Sequence, residues 1–172
     1  MTNLTEFKRW ENGISRMHFP KWEELPSLGL YVDQVAAVIN EYLTSLGMEP
    51  LTKSMINNYV KKKTIQAPIK KKYAVNQIVD LLLIGFFKNT FTINDIRQGI
   101  LQVTTKDYPK QAYNRFVDVL NARLRNEPIP TNPNFNSSNE QLMVLGIDAV
   151  LAGLKTRYLL EIMADSNKTE KD

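Results

Sequence analysis

The segment LTKSMINNYVKKKTIQAPIKKKY, residues 51–73, determines how the rest of the chain is interpreted. Thr52 is a suitable N-cap, so we expect a helix that begins there and ends near Lys63. Helical spacing gives this helix an apolar face that would pack on a core, formed by Met55, Ile56, Tyr59 and Val60. The opposite face carries only hydroxyl, amide and ammonium groups, on Ser54, Asn57, Asn58 and Lys61. Side chains of these types can reach base edges and phosphates from a helix that lies in a DNA groove.

The positive charge of the chain is concentrated in the same segment. Between Pro50 and Val79 there are seven basic residues and no acidic residue. They are Lys53, Lys61, Lys62, Lys63, Lys70, Lys71 and Lys72. Because the formal net charge of the whole chain is +4, the remainder of the chain is net negative. A local basic patch is typical of nucleic-acid-binding proteins, whereas lysines that only keep a loop soluble are the alternative.

Residues 64–73 are expected to form a small β wing, a hairpin with Pro68 at its centre. Such a hairpin would bring the lysines at 61–63 close to those at 70–72, and their repulsion is costly unless an anion lies between them. Phosphate is the simplest such anion. We therefore predict phosphate contacts from Lys53, Lys62, Lys63, Lys70, Lys71, Lys72 and Tyr73. The predicted base-reading residues are Ser54, Asn57, Asn58 and Lys61, since asparagine suits bidentate contact with adenine.

Three motifs in this half of the chain resemble those of a known family. DQV at residues 33–35, MINNYVKKK at 55–63 and PIKKKY at 68–73 are similar to a bacterial family catalogued as domain of unknown function 1836 and thought to be MerR-like. The order of helix, lysine-rich turn and helix also resembles MerR-type winged helix-turn-helix domains. The resemblance covers residues 20–100 and implies that fold and a DNA-binding role, with no target. MerR proteins usually carry arginine where this chain has Asn57 and Ala74, so their base contacts are not transferred.

Composition restricts the class of protein further. The chain has 172 residues, of which 43% are hydrophobic and none is cysteine, so disulfides and thiolate metal sites are excluded. Residues 1–10 are polar and unlike a secretory signal. The longest apolar run, residues 78–87, contains Asp80 and is about half as long as a membrane span. We expect a cytoplasmic protein that does not enter a membrane.

No combination of residues in the chain indicates catalysis. The single histidine, His18, has no cysteine or second imidazole with which to form a common zinc site or a nucleophilic triad. Glycine-rich phosphate-binding motifs are absent. We therefore predict that the chain is not an enzyme and that it has no metal site and no cofactor.

The apolar periodicity predicts a mainly α fold, with the MerR-like winged helix-turn-helix domain and its small β wing followed by C-terminal helices. We divide the chain into an N-terminal extension (1–30), a DNA-binding domain (31–103), a C-terminal helical region (104–164) and a disordered tail (165–172). Residues 78–87 are apolar nearly all round and predict a central core helix. Thr92 with Asp95, and Ser137 with Glu140, resemble capping boxes that begin two later helices. The inner face of the first would comprise Ile93, Ile96, Ile100 and Leu101, and the second would end near Ala164.

The leading hypothesis is a sequence-specific DNA-binding transcriptional regulator. One small winged helix reads only a short site, so we expect a homodimer that pairs through the C-terminal helices and binds double-stranded DNA. A small-molecule effector cannot be specified from these motifs. The alternatives are a protein–protein interaction adaptor on a winged-helix scaffold, which would use the last helix or the region of Trp10 and Trp22, and an RNA-binding protein. RNA binding is disfavoured because aromatic residues are not interleaved with the lysines.

Overall fold

A computed structural model describes residues 1–169, and these residues fold almost entirely as α-helices. The predicted mainly α class is therefore confirmed. The helices are α1 (Asn3–Ser15), α2 (Val32–Ser45), α3 (Lys53–Lys61), α4 (Val75–Phe87), α5 (Ile93–Lys106), α6 (Pro109–Arg125) and α7 (Ser137–Thr169). A short 3₁₀ turn, Trp22–Glu24, lies between α1 and α2. Within residues 1–169 no helix is long and apolar enough to cross a membrane.

No β-strand is present among the described residues, so the predicted β wing is not confirmed. The only β-type pairing consists of two isolated bridges, Leu30 with Tyr73 and Ile69 with Lys72. Residues 62–74, which connect α3 to α4 and which we call the lysine loop, are otherwise irregular. The loop lacks the alternating apolar pattern that would give a hairpin a buried face, and isolated short hairpins are only marginally stable without one.

Helix α4 lies at the centre of the core, as its sequence predicted. It packs against α2, α5 and α7, and most of its side chains are buried. Gly85 permits the closest of these contacts, since a Cβ atom there would lie 2.6 Å from the Cδ1 atom of Leu43 on α2. A larger residue at position 85 would force the Leu43 side chain to move.

The start of α5 was predicted correctly, and its inner face only partly. The Thr92 hydroxyl accepts a hydrogen bond from the Asp95 N–H at 3.1 Å, which caps the helix. Ile96 is buried, but Leu101 is 51% exposed and Val103 occupies the inward position instead. The inclusion of Leu101 in the core face was therefore wrong.

Helix α7 begins one residue earlier than its predicted cap, Ser137, implied. The Asn136 side chain, not that of Ser137, accepts the capping hydrogen bond, from the Asn139 N–H at 3.0 Å. Glu140 is not used in a capping box because its carboxylate binds the buried guanidinium of Arg115 at 2.7 Å. The helix continues through the predicted start of the tail to Thr169, and the rest of that tail, residues 170–172, lies outside the described residues.

Helix α1 packs mainly against α7. The Trp10 ring stacks on Tyr158 with 4.2 Å between ring centroids, and the Ser166 hydroxyl donates to the Asn3 side-chain oxygen at 2.7 Å. Trp22 meets Tyr113 on α6 edge to face at 6.3 Å. Both tryptophans thus have packing roles. One continuous apolar cluster extends from α1 to α7 and crosses residue 103, the predicted end of the DNA-binding domain. The division of the chain into domains stays a prediction.

Candidate nucleic-acid interface

Helix α3 presents the predicted polar face to solvent. The Thr52 hydroxyl accepts from the Met55 N–H at 3.1 Å, so the helix begins where its N-cap was predicted. Ile56 and Tyr59 are buried against the core and fix the rotation of the helix about its axis. The opposite face is exposed at all four predicted base-reading positions, which are Ser54, Asn57, Asn58 and Lys61.

The connection between α2 and α3 is held by main-chain and side-chain hydrogen bonds. Gly47 has a φ of 77° and ends α2 in a Schellman motif, in which the Met48 N–H donates to the Leu43 carbonyl at 3.0 Å. The predicted C-terminal glycine of this helix is thereby confirmed. Asn40 then binds both main-chain groups of Leu51, accepting from its N–H at 2.7 Å and donating to its carbonyl at 2.8 Å. These bonds hold α3 in a defined orientation on α2.

All seven lysines of residues 51–73 are exposed. Lys53 forms an ion pair with Asp33 at 3.1 Å, but both side chains are more than half exposed, so this pair contributes little to stability. The other six lysines form no ion pair with any described residue. The segment therefore presents several uncompensated positive charges to solvent.

The turn of the lysine loop lies at Lys70 and Lys71, two residues beyond the predicted centre at Pro68. Ile69 and Lys72 exchange two main-chain hydrogen bonds, of 3.1 and 3.0 Å, around this two-residue turn. Lys70 and Lys71 have φ values of 51° and 64°, as the central residues of a type I′ turn do. No main-chain bridge joins residues 61–63 to residues 70–72, so the predicted hairpin between the two lysine triplets is not confirmed.

A third lysine also adopts the left-handed conformation. Lys63 has a φ of 58° and ends α3 in a second Schellman motif, of the kind that Gly47 forms at the end of α2. In this motif the Thr64 N–H donates to the Tyr59 carbonyl at 2.8 Å. Left-handed backbone costs a residue with a Cβ atom about 1 kcal/mol, and glycine or asparagine is usual there. Three of the four non-glycine residues with positive φ in the described chain are lysines of this segment.

Tyr73 does not contribute a side chain to the surface. It is only 3% exposed, and burial raises the pKa of its hydroxyl. Its main chain pairs with Leu30, through a hydrogen bond from the Tyr73 N–H to the Leu30 carbonyl at 2.7 Å. Its predicted phosphate contact therefore has no accessible side chain to make it.

The pairing of Leu30 with Tyr73 places the start of α2 between two of the lysines. The Lys72 ammonium lies 5.7 Å from the centroid of the half-exposed Tyr31 ring, while Asp33 two residues later pairs with Lys53. The start of α3 and the end of the lysine loop thus adjoin one turn of α2. Sequence analysis did not identify Tyr31 as a surface residue near the lysines, because only the tertiary bridge brings it there.

The lysine loop is fastened to the core by Gln77, a buried amide on α4 that sequence analysis also missed. Its side-chain nitrogen donates to the carbonyls of Gln66 and Ala67 at 3.0 and 2.9 Å. Its oxygen accepts from the Ala74 N–H at 2.7 Å. An amide within a mostly apolar helix was the available signal, since buried polar groups require hydrogen-bond partners.

These features define a mainly helical protein in which a two-helix unit and a lysine-rich loop face solvent. The chain belongs to the family described as Domain of unknown function (DUF1836), whose model matches residues 20–116. No curated protein and no solved structure matches the chain. The matched segment includes the whole interface and ends within α6, so α1 and α7 both lie outside it.

Proposed function

We propose that this protein is a sequence-specific DNA-binding transcriptional regulator. Helix α3 lies in the major groove, with Asn57 and Asn58 directed at base edges, and the lysine loop lies against the phosphate backbone. The arrangement is MerR-like in its order of helices, with a two-residue turn in place of a β wing.

The conformation of Lys63, Lys70 and Lys71 is the observation that carries the proposal. Each residue occupies a left-handed position at which glycine or asparagine would be less strained, and each presents an unpaired ammonium group. Strained backbone of this kind is concentrated at functional sites. A polyanionic partner accounts for positive charge at three positions whose backbone disfavours lysine.

The exposed face of α3 supports a groove-binding role. It carries amides, a hydroxyl and an ammonium group, and residues 51–79 contain no carboxylate that would repel DNA. Asparagine offers both a donor and an acceptor, which matches the paired acceptor and donor on the major-groove edge of adenine. The buried side of α3 meanwhile fixes the orientation of these amides.

We further propose that the active form is a homodimer that pairs through α7. Four large apolar side chains on this helix are exposed between about 45% and 64%, namely Leu142, Leu145, Leu160 and Met163. Exposed apolar surface on one helix is typical of an interaction site. Two copies would present two α3 helices, and the DNA site would then be an inverted repeat.

Selection from random duplex oligonucleotides at physiological salt tests this function directly. We expect enrichment of an inverted repeat, and binding to that duplex that weakens steeply as salt rises. If about four lysines per protomer neutralise phosphates, the slope of log affinity against log salt for a dimer is about −7. Fluorescence anisotropy over a salt series measures this slope. Binding that is indifferent to salt would contradict the proposal.

A paired substitution separates phosphate contact from folding. Lys70→Asn with Lys71→Gly gives the Asn-Gly sequence that a type I′ turn prefers, so the turn is retained while two charges are lost. We expect the salt slope of a dimer to become shallower by about 4 units. The control, Lys8→Asn with Lys106→Asn, removes two exposed lysines from α1 and α5 and should leave the slope unchanged.

The base-reading role of α3 predicts a different effect for Asn57→Ala. This variant should lose about 1–3 kcal/mol of affinity for the selected duplex and almost none for random duplex. An equal loss on both duplexes would remove Asn57 from the set of base contacts.

An interaction adaptor is the second candidate function, favoured by the exposed apolar residues of α7. It predicts that no duplex is enriched and that the two lysine-turn substitutions leave a protein partner bound. Enrichment of single-stranded or structured RNA over duplex DNA, with the lysines still required, would instead identify an RNA-binding protein.

A further inference from the structure

A cavity of about 400 Å³ lies between α4, α5, α6 and α7, apart from the lysine loop. Its walls are mostly apolar. The rings of Phe87, Phe91 and Phe116 contribute aromatic surface, and Leu83, Ile100 and Met143 contribute aliphatic and thioether surface. A cavity of this size and composition falls within the range of small-molecule sites.

Two glycines shape the walls of this cavity. A Cβ atom added at Gly99 on α5 would meet no atom within 4 Å, so this wall faces open space. A Cβ atom at Gly146 on α7 would lie 3.3 Å from the Phe87 ring, which therefore packs directly on the helix backbone. A side chain added at Gly99 would begin in open space, and a large one would occupy part of the cavity.

Two carboxylates line this apolar cavity, those of Asp80 and Asp95. Asp80 of α4 is partly buried, and within residues 1–169 it forms no hydrogen bond and no ion pair. The other ionisable groups that face it are Asp95 and Arg97 on α5 and Tyr113 on α6. The Tyr113 hydroxyl already donates to the Pro20 carbonyl at 2.7 Å, and Arg97 lies beyond ion-pair distance.

Burial raises the pKa of Asp80 to about 6, and the positive charge of Arg97 only partly offsets this effect. The carboxylate is therefore mostly ionised at neutral pH while it lacks a partner. A buried charge without a partner is destabilising, and a cation in the cavity would relieve this penalty.

We infer that the cavity binds a small organic cation with an aromatic or alkyl body, whose ammonium group lies against Asp80. The apolar walls accommodate the body, and the phenylalanine rings attract the cation through their faces. An anion would be repelled by Asp80 and Asp95. A neutral molecule of the same shape would leave Asp80 unpaired. This inference is independent of the proposed DNA binding.

Titration calorimetry of the full chain without DNA tests the inference with a matched pair of probes. Benzyltrimethylammonium carries the charge, and neopentylbenzene has the same shape without it. At pH 8 we expect saturable binding of the cation and at least tenfold weaker binding of the neutral probe. Affinity for the cation should fall about tenfold between pH 8 and pH 5, because Asp80 becomes protonated.

Two variants identify the site. Asp80→Asn should weaken binding of the cation at least tenfold at pH 8 and remove its dependence on pH. Gly99→Leu should abolish binding by filling the cavity. The control is Gly13→Leu, because Gly13 is also a helical glycine with open space around it but lies in α1, away from the cavity. This control should bind the cation as the unsubstituted chain does.

Several results would overturn the inference. They are the absence of saturable cation binding at millimolar concentration, equal affinity for the neutral probe, and binding that survives both Asp80→Asn and Gly99→Leu. A chain that is dimeric in sedimentation experiments and becomes monomeric with Gly99→Leu would show that a second copy occupies the cavity. The outcomes for cation binding do not bear on duplex selection, so the two proposals fail separately, whereas loss of the dimer in Gly99→Leu would move the proposed homodimer contact to the cavity.

Discussion

Asp80 is a carboxylate that folding partly removes from solvent without giving it a hydrogen-bond partner. Its pKa is raised from 3.8 to about 6 by burial, so the ionised form is disfavoured in the folded state. Below about pH 3 the carboxyl is protonated in both states and folding carries no penalty. As pH rises from about 4 to about 6 the unfolded chain releases a proton that the folded chain retains, and stability is lost.

We therefore predict that Asp80→Asn stabilises the protein at pH 7.5 by up to about 3 kcal/mol, the equivalent of a pKa shift of about two units. The gain should fall below about 1 kcal/mol near pH 4 and approach zero near about pH 3. Urea unfolding of both chains at several pH values measures the difference, which cancels the contribution of other carboxylates. A difference that does not depend on pH would show that the Asp80 carboxyl is not desolvated.

At this scale the sequence predicted the exposed residues of α3 well, because helical periodicity alone places Asn57 and Asn58 opposite Ile56 and Tyr59. It could not predict Tyr73 as buried or Asp80 as unpaired. Both properties depend on which other elements cover the residue, and periodicity within one element carries no such information.

At the scale of the element, the ends of α2 and α3 provide an internal comparison. Both helices end in a Schellman motif, with Gly47 at the left-handed position of one and Lys63 at the left-handed position of the other. Glycine is favoured at this position because it has no Cβ atom to clash with the following carbonyl.

We predict that Lys63→Gly raises the free energy of unfolding by about 0.5–1 kcal/mol and that Gly47→Lys lowers it by about 1 kcal/mol or more. Space does not limit the second substitution, since the nearest atoms to a Cβ at Gly47 lie 3.9 Å away in Trp10. Urea midpoints at constant m value measure both effects. A loss of stability in Lys63→Gly would mean that the lysine side chain supports the end of α3.

The elements also show why some boundaries were misjudged. The turn at Lys70 and Lys71 has no Asn-Gly or Asp-Gly sequence, so Pro68 provided the only turn signal and misplaced the turn. The cap of α7 was misplaced because Ser137 and Glu140 have capping-box spacing, whereas Glu140 is used by Arg115 on a different helix. Local signals fail where a tertiary contact competes for the same residue.

At the scale of the whole molecule, the sequence predicted a mainly helical chain with α4 at its centre. Absence of strand periodicity and an apolar run on all sides of one helix were sufficient for that. The packing of α1 against α7 was not predicted, since the two helices are far apart in sequence.

The stacking of Trp10 on Tyr158 provides a spectroscopic means of following that pair. The chain has two tryptophans, and Trp22 packs on α6 within the family segment while Trp10 packs on α7 outside it. In the Trp22→Phe variant, tryptophan emission comes only from Trp10 and reports on α1. In the Trp10→Phe variant, it comes only from Trp22 and reports on the family segment.

Because Ile14 of α1 belongs to the same continuous apolar cluster as the buried residues of α4, both emission signals should change at one urea midpoint, together with far-ultraviolet circular dichroism. An earlier midpoint for the Trp10 signal would show that α1 detaches while the remainder stays folded. In either case, the fluorescence of Trp10, which stacks on Tyr158, reports separately on α1 and α7, the two helices outside the family segment.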